Sequence, residues 1–227
     1  MGKIFFCGDV HGRFDHVIDA VREHKPAAVV FLGDQQAKRP LEEELGDILN
    51  MTDIWWIHGN HDTDSDADYD NLFESALADR NLHGRVVEIA GLRIAGLGGV
   101  FRGQVWMPPE QPRFESVAAY VARCGKGNLW RGGLPRKHHS SIFPDEYLRL
   151  ASMRADVLVT HEAPSFHPHG FAAIDELAHK LGAHAAFHGH HHDLCNYGDK
   201  CAQLSLAAHG VGLRGISDQE GNVIVAG

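Results

Sequence analysis

Five short runs carry the side chains of metal chemistry: GDVHG at 8–12, GDQ at 33–35, GNHD at 59–62, THEAP at 160–164 and GHHH at 189–192. Each stands where an apolar stretch stops. Between them they offer carboxylates, imidazoles and an amide, a donor set that suits Mn²⁺, Fe or Zn²⁺ better than Mg²⁺ or Ca²⁺. The last run is the densest, with His188, His190, His191 and His192 inside FHGHHHD. Histidine is only moderately buried on average and its ring nitrogens need partners, so packing alone does not account for four of them. In an extended segment, residues two apart point the same way. That pairs Asp9 with His11 on one ion and makes His190 and His192 a working pair. His191 then faces away to the surface, and His188, further back on the same face, packs or orients a ligand. Gly8, Gly33, Gly59 and Gly189 stand where the backbone must turn sharply or pass close to the site.

The elements that would position these runs alternate along the chain. KIFFCGD, AAVVFLGD, DIWWIHGNHD, ADVLVTHEAP and AHAAFHGHHH read as buried strands. GRVVEIAGLRIAGLGG reads as two strands joined near Ala90 and Gly91. FDHVIDAVREH, PLEEELGDILN, DNLFESALADR and AAIDELAHKLG carry helical periodicity. The tail, AQLSLAAHGVGLRGI and NVIVAG, reads as antiparallel strands. Residues 101–154 lose this rhythm and predict two helices, near 115–123 and 144–153. The expectation is one α/β domain over residues 1–227 with an insertion at 101–154. In such folds the carboxyl ends of strands line the ligand crevice.

Composition narrows the class. The 227 residues are 44% hydrophobic, enough for a core. No apolar run reaches the roughly 18 residues of a membrane span, and the N-terminal apolar stretch is too short for a signal peptide, so a cytoplasmic protein is expected. Four cysteines do not suggest a disulfide framework. Cys195 and Cys201, near the histidine run, read as ordinary small residues before zinc ligands. A net charge of −9 argues against a nucleic-acid coat or a membrane-surface protein. The charge is uneven: residues 101–154 hold nine basic and four acidic side chains, a net +5, while the remainder holds 12 and 26, a net −14.

GDVHG, GD, GNHD, a lone histidine after a strand, and G-H-x-H, in that order over residues 4–192, resemble the calcineurin-like metallophosphoesterase superfamily. The resemblance implies two stacked β-sheets flanked by helices, an αββα sandwich with the site at the strand ends. It implies a dinuclear centre. Asp9, His11 and His192 would bind the first ion, Asp34 would bridge, and Asn60, His161 and His190 would bind the second. His61 would touch the substrate and Asp62 would orient it. Many members carry a further acid after the second motif, as G-D-x-x-D; here the run is GDQQAKR and Gln36 is read in its place. The departures from the Asp-Arg-Gly and Arg-Gly-Asn-His-Glu runs of protein phosphatases weaken that reading. The implied cofactors are two divalent ions, manganese first, with iron or zinc as alternatives. The implied partner is a phosphoester, including nucleotides or RNA among the substrate classes; no obligate protein partner is evident.

This donor set suits phosphoester hydrolysis. Two M²⁺ ions about 3.5–4 Å apart clamp phosphate and nucleophile. With Asp9, Asp34 and a bridging hydroxide, the centre keeps about +1, which favours an anion. The hydroxide attacks phosphorus in line, and His61 assists the leaving oxygen. The alternative is a non-catalytic metal-binding scaffold of the same fold; retention of His61 argues against it. Around the centre, Arg102, His167 and His169 are candidate substrate contacts, and His138 and His139 are expected in solvent. The alternating acids of DTDSDADYD read as a solvated loop and helix N-cap. The basic insertion, with Arg131, Arg136 and Lys137, is expected to form a substrate-facing rim.

Overall fold

The computed structural model describes residues 2–198 and 206–227. Two mixed sheets stack face to face. In the first, β1 (Ile4–Cys7), β2 (Ala28–Leu32) and β3 (Asp53–Ile57) run parallel, with Ile4 beside Ala28 and Ala28 beside Asp53. The C-terminal strands β10 (Ile216–Asp218) and β11 (Val223–Val225) extend it antiparallel, giving the order β11-β10-β1-β2-β3. In the second sheet, β5 (Leu92–Leu97), β6 (Val157–Thr160), β7 (Ala185–His188) and β9 (Ala207–Gly210) are parallel. β4 (Arg85–Ile89) and β8 (Cys195–Asn196) close its edges antiparallel, in the order β4-β5-β6-β7-β9-β8.

The central strands are continuous apolar runs because both their faces are covered, as parallel sheets require. Between the sheets Phe6, Val30 and Leu32 meet Ile94, Val159 and Phe187. The Phe6 and Phe187 rings stack with centroids 4.0 Å apart. On the outer face of the first sheet lie α1 (Asp15–His24), α2 (Leu41–Leu45) and α3 (Asp66–Phe73). On the outer face of the second lie α5 (Pro144–Ala151) and α6 (Ala172–Leu181). The helix α4 (Val117–Arg123) packs on a small separate core of Val105, Leu134 and Phe143. This is the αββα sandwich.

Several expectations change. The predicted helix over 40–50 stops at Leu45, because Gly46 turns to φ +56°, and the chain continues as a 3-10 turn over Gly46–Asn50. The acidic run enters α3 four residues before the expected start: Ser65 Oγ accepts from Asp68 N at 3.1 Å and caps the helix. The tail does not form one antiparallel unit. β9 joins the second sheet parallel to β7, while β10 and β11 pair in the first. Cys201 lies outside the described residues.

Two arginines of the insertion pair with the body of the protein. Arg131 pairs with Asp70 at 2.7 Å and Glu74 at 2.8 Å, and its guanidinium lies 4.2 Å over Trp130. Arg136 pairs with Asp66 and donates to Asp64 O at 2.8 Å and Thr63 O at 3.2 Å. Two acids of DTDSDADYD, Asp66 and Asp70, therefore face the insertion, and Arg131 and Arg136, expected at a substrate rim, are engaged in ion pairs with them. His138 is buried between Tyr120 Oη and Ser141 Oγ, each at 2.9 Å, and half-buried His139 meets the Tyr69 and Trp130 rings. Neither stands in solvent.

Candidate functional site

The ends of β1, β2, β3, β6 and β7 converge at one rim of the sandwich. Two groups of donors form there. Asp9, His11 and His192 make one; Asp34, His161 and His190 make the other; within each, ligand atoms lie within 4.8 Å of one another. His11 Nε2 and His192 Nε2 face each other at 3.0 Å. Two donors about 2.1 Å from one ion would stand at such a separation. His161 joins the groups, 3.4 Å from Asp34 and 3.9 Å from Asp9. Asn60 Oδ1 lies 3.3 Å from His161 Nε2.

The grouping does not come from strand alternation. His190 and His192 fall beyond β7, and each has a left-handed backbone, at φ +72° and +61°. Asp9 (+32°), His11 (+43°), Asp34 (+52°) and Gln36 (+42°) do the same after β1 and β2. A left-handed conformation at a non-glycine residue costs about 1–2 kcal/mol. These turns send His192 to Asp9 and His11, and His190 to Asp34 and His161. Extended geometry would have paired the two histidines. His191 also departs from expectation: it is half-buried and stacks on His167 with centroids 4.1 Å apart. His188 packs in the interior, where Nε2 meets Tyr197 Oη at 2.8 Å.

Backbone amides anchor the two carboxylates. His190 N donates to both oxygens of Asp9 at 3.0 Å, and His61 N donates to Asp34 Oδ1 at 2.8 Å. Gly59 is obligatory here, since a Cβ would collide with the Asp34 carboxylate and its backbone N. Burial pushes the Asp9 carboxyl up to about 6, against the opposing pull of His161. Burial also disfavours the charge on Asp34, but His161 outweighs it and holds this carboxyl below its ordinary range. Both His161 nitrogens face acceptors, Nδ1 donating to Leu32 O at 2.8 Å and Nε2 pointing at Asn60 and Asp34. Desolvation opposes its charge, yet Asp34 and Asp9 raise its pKa to about 10. A proton on Nε2 thus does what a bound cation would do, compensating two carboxylates that are 0% and 1% exposed. The residues fit a metal centre on that ground. Burial lowers His190 to about 3, which leaves it the neutral imidazole that a ligand must be.

Three orienting contacts were not legible in the motifs. Gln36 Oε1 accepts from His11 Nδ1 at 2.6 Å, which leaves Nε2 of a neutral ring free to bind a cation. Counted along G-D-x-x-D, the absent acid falls at Ala37, which is buried in the core, so Gln36 is no replacement for it. Asp62 does not meet the His61 ring. Its oxygens accept from Gly59 N and Gln36 N, each at 2.8 Å, bracing two motif loops. The acid on His61 is Asp64, at 2.5 Å from Nδ1. Desolvation pulls the His61 pKa down, but this hydrogen bond and the charge of Asp34 leave it raised. A sequence signal existed: Asp64 is three residues on, one turn of the 3-10 segment His61–Thr63. Glu162, beside His161, is likewise buried, with Oε1 accepting from Phe101 N at 2.9 Å.

Of the peripheral candidates, Arg102 is half-buried and donates to Ser140 Oγ at 3.1 Å. Burial lowers its pKa while the charges of Asp64, Glu162 and Asp34 counter that, so it borders the centre. His167 is buried against His191, and exposed His169 follows it, its N donating to His167 Nδ1 at 3.1 Å. Both line a cleft of about 500 Å³ with Asp193, Leu194 and Tyr197.

An uncharacterised protein of Haemophilus influenzae (strain ATCC 51907 / DSM 11121 / KW20 / Rd) is 44% identical over 222 residues, 98% of this chain and 96% of that one. The crystal structure of TT1561 of Thermus thermophilus superposes with a TM-score of 0.59 at 13% identity, over 96% of this chain and 94% of its own. A second crystal structure reaches 0.57 at 13% identity, over 98% of each chain. Residues 2–194 match the family model of the calcineurin-like phosphoesterases, and that span takes in all five converging strand ends; the chain belongs to this family.

Proposed function

We propose that this chain is a dinuclear metal-dependent phosphoesterase. The supporting observation is the pair of His/Asp groups linked through His161, with both carboxylates buried beside the imidazoles. Asp9, His11 and His192 hold one divalent ion, Asn60, His161 and His190 hold the other, and Asp34 serves both. Manganese suits this mixed set, with iron or zinc as alternatives. Bound there, the ions supply Lewis-acid charge to the phosphoryl oxygens and acidify the attacking water.

The chain's own residues do the rest. Asp64 accepts from Nδ1 and favours the imidazolium form of His61, whose second proton, on Nε2, serves the departing oxygen of a monoester or diester. Gln36 and Leu32 O fix the tautomers of His11 and His161. Arg102 lends positive charge beside the phosphate position. The cleft lined by His167 and His169 accommodates part of the substrate, with nucleotides and RNA among the classes to screen. No helix among the described residues is long and apolar enough to cross a membrane. We place the protein in the cytoplasm, where the thiols of Cys7 and Cys124 stay reduced.

The test is turnover of chromogenic mono- and diester phosphates by Mn²⁺-loaded protein, then with chelator. Asp34→Asn should bind much less metal and lose activity. Metal-loaded protein that hydrolyses none of a panel of monoesters, diesters, nucleotides and branched or cyclic RNA would instead be a binding scaffold.

A further inference from the structure

His191 and Glu162 belong to neither metal group, yet both stand beside His190, Glu162 buried and His191 half-buried. Glu162 is 4% exposed, and Oε1 accepts from the Phe101 amide at 2.9 Å. The His191 ring is held on two sides, stacked on His167 at 4.1 Å and edge-on to His190 at 4.7 Å. Its Nε2 is buried and has no hydrogen-bond partner among the described residues. A buried ring nitrogen without a partner costs free energy unless something fills the position. The donor atoms of Glu162, His190 and His191 lie within 4.8 Å of one another. Two imidazoles and one carboxylate are the donor set of an open zinc site, with bonds of about 2.0–2.2 Å.

We infer that Glu162, His190 and His191 form a third cation site, suited to Zn²⁺ or a similar borderline divalent ion, whose occupation regulates the centre. The regulation rests on the dinuclear reading proposed above; the site itself does not. A neutral imidazole has one acceptor nitrogen. An ion at Glu162 and His191 that recruits His190 therefore takes that ligand from the ion at Asp34 and His161. The third site fills last, because it competes for His190 and lies beside two other cations. Its filling weakens the second ion and inhibits turnover. Excess Zn²⁺ is thus a brake on the enzyme that a working level of metal activates.

Equilibrium dialysis of the full chain, stripped and then titrated with Zn²⁺, reads the site without turnover. Wild type should take up two equivalents and then a third at free Zn²⁺ at least about ten-fold higher. Glu162→Gln keeps the carbonyl that accepts from Phe101 N but loses the charge; His191→Asn removes the ring. Each folded variant should keep the first two equivalents and bind the third more than ten-fold more weakly or not at all. If one variant fails to fold by its thermal transition, the other decides. Wild type saturating at two, or a folded variant taking the third with unchanged affinity, overturns the site. In parallel, Zn²⁺ added to Mn²⁺-loaded protein should inhibit nitrophenyl phosphate hydrolysis as the third equivalent binds; inhibition that persists unchanged in a folded variant overturns the regulation. Three equivalents with no hydrolysis of any phosphoester leaves the site standing and refutes the phosphoesterase reading instead.

Discussion

At the scale of single residues, geometry at the strand ends leaves no slack. Gly59→Ala places a Cβ against the Asp34 carboxylate and backbone, so metal content should fall at least ten-fold by elemental analysis. Gly103→Ala, which meets nothing within 4 Å, should change stability by less than about 0.5 kcal/mol. Normal metal content in Gly59→Ala would mean that the second and third motifs do not close on one another as described. His61 and Asp64 act as a pair. His61→Asn should retain metal and lose about 10²–10⁴-fold in kcat. Asp64→Asn should lose less, because Nδ1 keeps a hydrogen-bond partner. Both losses should shrink for a nitrophenolate leaving group, which needs no proton. Equal losses for alkyl and nitrophenyl esters would assign His61 to positioning phosphate.

At the scale of elements, two joints are testable. Arg136 holds the loop that carries His61 and Asp64, through Thr63 O, Asp64 O and Asp66. Arg136→Ala should lower kcat about ten-fold with metal content unchanged, a size typical of outer contacts on a site. A rise in KM alone would mean that Arg136 meets substrate. The second joint ties β5 to β6: Asp156 accepts from the backbone N of Arg93 at 2.9 Å and pairs with its guanidinium at 2.6 Å. The hydrogen bonds from Arg93 hold the Asp156 carboxyl at about 2, below its ordinary 3.8. A depressed folded-state value means stability present above about pH 4 and lost as the pH falls through about 2. Asp156→Asn should therefore destabilise near neutrality, by no more than about 1 kcal/mol because the pair is exposed. In urea titrations the gap to wild type should narrow below pH 4. A gap independent of pH would place the cost in packing.

At the scale of the molecule, the two sheets hold the metal groups in register, since the site draws ligands from both. Phe187 stacks on Phe6 across that interface, one residue before His188 and three before His190. Phe187→Ala should cost about 3–5 kcal/mol in urea unfolding, and Phe187→Leu distinctly less. The alanine variant should also bind metal more weakly at temperatures where it is still folded. Unaltered affinity would show that the ligand loops keep their geometry without the sheets' support.

The chain's apolar runs and the ordered polar residues behind them determined much by themselves. Five buried strands, the helices between them and a set of Asp, His and Asn at the strand ends follow from periodicity and residue chemistry. The tertiary structure decided which ligand meets which. Periodicity reports direction only while a chain stays extended; past the strand ends, left-handed turns at Asp9, His11, Asp34, His190 and His192 aim the side chains. It also decided that His191 turns inward, that Asp64 rather than Asp62 holds His61, and that β9 lies beside β7. Counting charges revealed a basic insertion but not its partners, because ion pairing depends on which surfaces meet. Arg131 and Arg136 meet α3, so these two arginines of the basic segment pair with the body of the protein, and Arg136 clamps the loop of His61.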